Sequence, residues 1–208
     1  MCIIFNDRFY LILAIIILMN KGLEKFYDLV ESFEMLPTIG KKSAIRLAYH
    51  IVTENTYIGM KLAHSIETAV RDIRQCTKCH AMSENEICEI CLDEDRDNET
   101  LCIIQSAKDI FIIEESKQFG GKYFVIESLE DNIIQDLLKL VEKSEVKHIL
   151  FAVTPSLAND AFILYIEDRL KNKNITFTKI AQGVPTGVSL ENVDILSLSK
   201  AITGQIKI

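Results

Sequence analysis

The chain has 208 residues, enough for one good-sized core or two modest domains. Apolar residues make up 49% and charged residues 25%, with three prolines and no low-complexity segment, which excludes a disordered or fibrous chain. A formal charge of −7 argues against a broad nucleic-acid-coating surface but leaves room for a small basic patch.

The charge is unevenly placed. Residues 84–99 hold eight acids and one base, Arg96, whereas residues 37–49 hold Lys41, Lys42 and Arg46 and no acid. A phosphate backbone is drawn to the second stretch and repelled by the first.

FYLILAIIILM, residues 9–19, is a continuous apolar run. It is short of the roughly 20 residues a membrane span needs, and no small-residue cleavage site follows it. Met19 opens MNKGLEKFYDLVESFEML, itself a plausible protein start. Residues 1–18 therefore read as a non-native or mis-assigned apolar leader, as a strand or hydrophobic arm, or as a membrane-targeting segment.

GLEKFYDLVESFEML repeats Leu23, Phe26, Tyr27, Leu29, Val30 and Phe33 at helical spacing. After LPTIG (36–40), KKSAIRLAYHIV resumes that period, and a further helix is predicted over about 57–75. Pro37 starts a new direction, and Gly40 is expected to supply a permissive conformation where the next helix begins. Helix, Leu-Pro-x-x-Gly turn, helix is the outline of a helix-hairpin-helix. Backbone N–H groups around Gly40 are placed to meet a phosphate, with Lys41 beside them and Lys42 and Arg46 on one helical face. The alternative is a helical hairpin whose lysines are merely solvated. Thr38 is a less permissive turn residue than glycine.

CTKCH at 76–80 has the spacing of a haem attachment site, but CTKCHAMSENEICEIC continues to a second knuckle. Cys76, Cys79, Cys88 and Cys91 form two Cys-x-x-Cys pairs that can close a tetrahedron around Zn²⁺. Haem leaves the second pair unexplained, and both haem and disulfides require an oxidising compartment. With all four positions taken by cysteine, no site remains for a water, so one zinc is expected in a structural role. The site adds about −2 of charge, and metal binding is expected to replace the core that this acid-rich loop lacks. His80 reads as a loop residue beside the site, and Cys102 as an inert strand residue.

From residue 100 strands and helices alternate: strands at 101–105, 122–127, 147–153 and 174–180, helices near 107–117, 130–143 and 157–171. The strands are apolar on both faces, as in a sheet covered by helices. A magnesium-dependent site would want carboxylates at strand ends. The first strand instead ends in Gln105, and the remaining acids Asp109, Glu114 and Asp160 read as helix-cap or surface charges. His50, His64 and His148 read as structural or surface, and no phosphate-binding glycine fingerprint is present. A Pro/Gly-punctuated loop (182–187), a short helix (193–202) and the apolar fragment Ile206–Ile208, able to complete a sheet in this chain or a neighbour, close the chain.

In this order the features resemble the bacterial recombination mediator RecR family, from about residue 19 to the C-terminus. FEMLPTIGKKSAIRLAYHIV resembles its helix-hairpin-helix, and CTKCHAMSENEICEIC with Arg96–Asp97 its four-cysteine zinc finger. LCIIQSAKDIFIIE resembles the start of a Toprim domain and ITFTKIAQGVPTGVSLENVDILSLSKAI its closing block, with Gly183, Val184 and Pro185 as the family's turn.

The resemblance implies an α+β multidomain fold. The leader at 1–18 falls outside it; its parts are a helix-hairpin-helix domain at 19–75, a four-cysteine zinc finger at 76–99, a Toprim-like α/β domain at 100–181 and a C-terminal loop, helix and oligomerisation tail at 182–208. It also implies a non-enzymatic, cytoplasmic and nucleoid-associated DNA-repair factor: a homotetrameric ring that clamps DNA without reading its sequence. Such a ring acts with RecO, and in many bacteria RecF, to load RecA at gapped or SSB-coated DNA. By position Lys42 and Arg46 fall on the family's DNA-facing bases, the four cysteines on its zinc ligands, and Asp109 and Glu114 on Toprim acidic positions.

The departures are Gln105 for a usual glutamate, Ala158 for a glutamate, Asn159 for a glycine, and a shortened ESLEDN at 127–132. They weigh against metal catalysis and alter the surface, including Asp160, offered to RecO. A magnesium-dependent Toprim enzyme and a protein adaptor without DNA contact are the competing readings.

Overall fold

The computed structural model describes residues 22–181 and 187–203. The leader at 1–18, the Gly183–Val184–Pro185 turn and Ile206–Ile208 lie outside the described residues. The chain divides into two compact units, with the boundary between Asp72 and Ile73.

The first unit is helical. α1 (Glu24–Glu34) and α2 (Lys41–Tyr49) form a hairpin. Val30, Ala44 and Ala48 are buried between them, and Phe26, Leu29, Phe33 and Ile39 pack around that contact. The two alanines, four residues apart, let the helices approach closely.

The turn departs from expectation. Gly40 has φ −91° and ψ 167°, a conformation open to any residue, whereas Thr38 carries the left-handed strain at φ 69°. After Tyr49 the helix widens into a π-turn, His50–Glu54, closed by Asn55 N–H donating to the His50 carbonyl at 2.9 Å. The Asn55 side chain then accepts from Ile58 N–H, opening α3 (Thr56–Asp72). α3 stops at Asp72 rather than 75, because Arg74–Gln75 pair as a strand instead.

The second unit begins with that ribbon, β1 (Arg74–Gln75) antiparallel to β2 (Met82–Ser83), followed by a single helical turn, α4 (Glu89–Leu92). Then come β3 (Asp97–Ile104), α5 (Lys108–Ser116), β4 (Gly121–Val125), α6 (Asp131–Lys143), β5 (His148–Phe151), α7 (Leu157–Leu170) and β6 (Thr176–Lys179). β3 thus starts four residues before the expected 101. The sheet is parallel throughout, in the order β4-β3-β5-β6. Leu101, Cys102, Ile103 and Ile104 are all buried in succession, so both faces of β3 are covered. α8 (Ile195–Thr203) follows. Among the described residues no helix is long and apolar enough to cross a membrane.

The strain at Thr38 gives a direct test. Thr38→Gly removes the Cβ clash of a left-handed residue and is expected to raise stability by up to about 1 kcal/mol, read from urea unfolding. An unchanged or lowered midpoint would show that Thr38 is held without strain.

Candidate metal centre and nucleic-acid interface

β1 and β2 bring the first Cys-x-x-Cys knuckle back on itself. Cys76 N–H donates to the Ala81 carbonyl at 2.8 Å, and His80 N–H donates to the Cys76 carbonyl at 3.0 Å. The tight reversal puts His80 at φ 60°. The second knuckle closes through Cys91 N–H donating to the Cys88 carbonyl at 3.0 Å. The two knuckles face each other, with the four Sγ atoms within 4.8 Å of one another and all four cysteines buried.

A tetrahedral zinc with Zn–S of about 2.3 Å implies sulfur–sulfur edges of about 3.8 Å. The Cys79–Cys88 and Cys76–Cys91 separations of 3.5 and 4.0 Å bracket that value. Cys88 N–H also donates to the Cys76 sulfur at 3.2 Å, the kind of second contact that orients a thiolate ligand. Hydrogen bonding to Cys76, then to Cys88 and Cys91, with burial added, pushes the Cys79 thiol far up. The same crowding, led by Cys79, pulls Cys76 far down. Four sulfurs that compete for protons in this way are the donor set a divalent cation satisfies. The residues fit one structural zinc, which supplies cross-linking and no open coordination position.

The ribbon was expected to lack a core, yet its cysteines and Ala81 belong to the same buried cluster as the sheet, with Ile87 and Ile90 packed against it. Val125 N–H donates to the Cys79 carbonyl at 2.9 Å, and the Lys122 ammonium donates to the Cys91 carbonyl at 3.3 Å. The His80 ring lies 5.2 Å from that of Phe124 and is not among the ligands.

In the helical unit Lys41, Lys42 and Arg46 are all exposed along α2. Gly40, the N-cap residue, makes no side-chain cap bond, and a Cβ there would meet nothing within 4 Å. The first-turn N–H groups therefore open onto free space beside three cations, with no acid on the helix.

Two family models match these regions: the RecR helix-hairpin-helix over residues 26–70, and the RecR zinc finger domain of the four-cysteine type over residues 73–93. The chain is 54% identical over 190 residues to "Recombination protein RecR" of Campylobacter jejuni subsp. jejuni serotype O:23/36, covering 91% of this chain and 100% of that protein. It is 55% identical over the same length and shares to the Nitratiruptor sp. protein of that name. To the one from Helicobacter pylori it is 48% identical over 188 residues, 90% of this chain and 97% of the relative. The chain belongs to the RecR family of recombination proteins.

The three acids singled out in the α/β region, Asp109 and Glu114 by the resemblance and Asp160 from its place after the third strand, have separate surroundings. Asp109 lies in the first turn of α5 and Asp160 in the first turn of α7, where it pairs with Lys179 at 3.1 Å. Glu114 is neither a cap nor a surface charge. It receives both terminal nitrogens of Arg96 and, at 2.6 Å, the Tyr123 hydroxyl. Arg96 also donates to the Gly121 carbonyl at 3.0 Å and lies 3.4 Å from Asp93. Arg96 thereby ties the segment after the zinc ribbon to α5 and β4, a role with no signal in sequence because its partners lie 18 and 25 residues away.

Gln105 and Asn159, two departures from the family pattern, are bonded to each other. Gln105 Nε2 donates to Asn159 Oδ1 at 2.9 Å, and Asn159 Nδ2 donates to the Thr154 carbonyl at 2.7 Å. A neutral amide clasp stands where the pattern would place a carboxylate beside a glycine.

Removing zinc is expected to unfold the α/β unit along with the ribbon. Circular dichroism after chelation should show loss of sheet signal, and Cys88→Ser should lower bound zinc below one per chain. An intact sheet without metal would contradict this. Glu114→Gln should cost about 2 kcal/mol near neutral pH, the scale of hydrogen bonds to a charged group. The Arg96 bond holds the Glu114 carboxyl below its ordinary 4.5, so its contribution is full above that value and fades as pH falls through the depressed one. The stability gap between wild type and Glu114→Gln should therefore narrow in acid. A gap independent of pH would exclude the ion pair as its source.

Proposed function

We propose that the chain is a non-enzymatic recombination mediator that holds DNA by its phosphate backbone through α2. The observation that carries this is the bare, uncapped start of α2 at Gly40 with Lys41, Lys42 and Arg46 exposed beside it and no acid on that helix. Backbone N–H groups and three cations provide phosphate contacts that position a strand and read no bases. The family supplies the setting: cytoplasmic and nucleoid-associated action with RecO, and in many bacteria RecF, in loading RecA at gapped or SSB-coated DNA. The α/β unit is a scaffold and partner surface, with Asp160 exposed and Asp109 half-buried on it.

A homo-oligomer, in this family a ring of four, is supported by the thin helical unit. Val30, Ala44 and Ala48 are its buried residues among those described. α3 buries none of its 17 residues and exposes Tyr57, Met60, Ile66 and Val70. A core this small needs added apolar burial to be stable. Several copies also raise effective concentration, which turns a few weak phosphate contacts per hairpin into useful retention.

Replacing Lys42 and Arg46 together by alanine should abolish DNA retention at moderate salt while leaving the oligomeric mass and zinc content unchanged. Retained binding would remove α2 from the interface. Reproducible cleavage of gapped or supercoiled DNA with Mg²⁺ would replace the mediator by an enzyme.

A further inference from the structure

The α/β unit has a second concentration of positive charge, away from the helical hairpin in sequence and in a different unit. A concavity of about 460 Å³ opens between the two knuckles, β3, β4 and the C-terminal half of α6. Lys78, Lys122, Lys139 and Lys143 line it together with one acid, Asp136. Thr77, Asn98, Thr100 and Ser144 add hydroxyl and amide groups. Four lysines to one carboxylate is a local reversal of a chain whose net charge is −7.

Part of this charge has a structural account. The Lys122 ammonium donates to the Cys91 carbonyl and helps to offset the −2 of the zinc–thiolate site beside it. Lys139 pairs with Asp136 at 2.9 Å, and Asp136 also lies 3.5 Å from His80. Lys143 sits in the last turn of α6, where a cation complements the helix dipole. The acids Asp97 and Glu99 on β3 do not line the concavity, and Glu99 pairs with Lys147. Among the described residues neither Lys78 nor Lys143 meets a carboxylate. With Lys122 assigned wholly to the metal site, three lysines still face one shared aspartate.

We propose that this concavity is an anion site that binds phosphate groups, independent of the α2 contact. Its volume is that of a small-molecule site. Lysine point charges with hydroxyl and amide donors suit the compact, multiply charged phosphate group. The phosphate has two possible sources, a free nucleotide or the backbone of a nucleic-acid strand, and one experiment separates them.

Zinc-loaded full-length chain is titrated with inorganic pyrophosphate, ATP, a short single-stranded oligonucleotide and a glutamate-rich peptide. The proteins are wild type, K42A/R46A, K78A/K143A, the four-fold combination, and K171A/K173A as a control of equal charge change outside the site. A nucleotide source gives pyrophosphate and ATP binding that K78A/K143A weakens about tenfold or more, equivalent to about 1.4 kcal/mol, and that K42A/R46A leaves intact. A strand source gives residual oligonucleotide binding in K42A/R46A that the four-fold variant loses, with the salt slope falling by about 1 per lysine removed. Zinc content and thermal midpoint should match wild type; should either fall, K78Q/K143Q takes the place of the alanine pair. The site is overturned if no phosphate probe binds, if K171A/K173A produces the same loss, or if only the glutamate-rich peptide is held. Because the K42A/R46A background silences α2, failure here and failure of the hairpin contact give different patterns.

Discussion

Four sulfur atoms within 4.8 Å of one another, all in buried residues, cannot each keep the ionisation of a free thiol. A divalent cation resolves the conflict, and the reach of its stabilisation follows from where the sulfurs sit. They share one buried cluster with the sheet, and the Cys79 carbonyl takes a hydrogen bond from the end of β4. A structural zinc contributes on the order of 10–16 kcal/mol, as much as the whole stability of an ordinary domain, about 5–15 kcal/mol. The metal therefore acts on the α/β unit as a whole rather than on a detached finger.

Two of the acids on that unit, and the polar side chain at the end of β3, are engaged close at hand. Glu114 is held by Arg96 and Tyr123, Asp160 faces Lys179, and Gln105 is clasped to Asn159. Burial, with the hydrogen bond to Glu114 second, pushes the Tyr123 hydroxyl far up, so it stays a neutral donor to that carboxylate. A carboxylate committed to a guanidinium and a phenol has little left to give a hard cation such as Mg²⁺. Residues 105 and 159 fit this pattern: Gln105 offers no carboxylate at the end of β3, and its amide is satisfied by Asn159.

What could be read from the sequence depended on whether the signal was local. The cysteine spacing, the apolar strand runs and the basic face of α2 each lie within a few turns of chain; the four cysteines converge and the cations are exposed as read, while the strands appear with shifted ends and β6 is covered on neither face except at the half-buried Phe177. The Arg96–Glu114 pair spans 18 residues and Gln105–Asn159 spans 54, so neither has a periodicity to reveal it. Gly40 misled for a different reason. A glycine at a helix start invites a conformational explanation, but its backbone is ordinary and its value is the empty space above it, while Thr38 bears the unusual φ. Likewise, eight acids around residues 84–99 suggested a coreless loop. The few apolar residues among them, Ile87 and Ile90, were enough once a sheet lay beneath.

In the proposed function, the helical unit links stability to DNA retention. α1 and α2 bury three residues completely, and α3 leaves its apolar side chains in water. At about 25 cal/mol per Å² of apolar surface removed from water, covering that helix against another copy is the largest gain still open to the unit. The same association sets the number of basic hairpins presented together. A single hairpin with three cations would hold DNA only weakly at physiological salt, as expected for a few phosphate contacts. On the proposed ring the contacts would act as one, with a strength set by subunit geometry rather than by added charge. Under the proposed function, a chain with net charge −7 would retain DNA without a basic exterior, attraction being confined to the faces such an assembly turned inward while the remaining acidic surface resisted nonspecific coating.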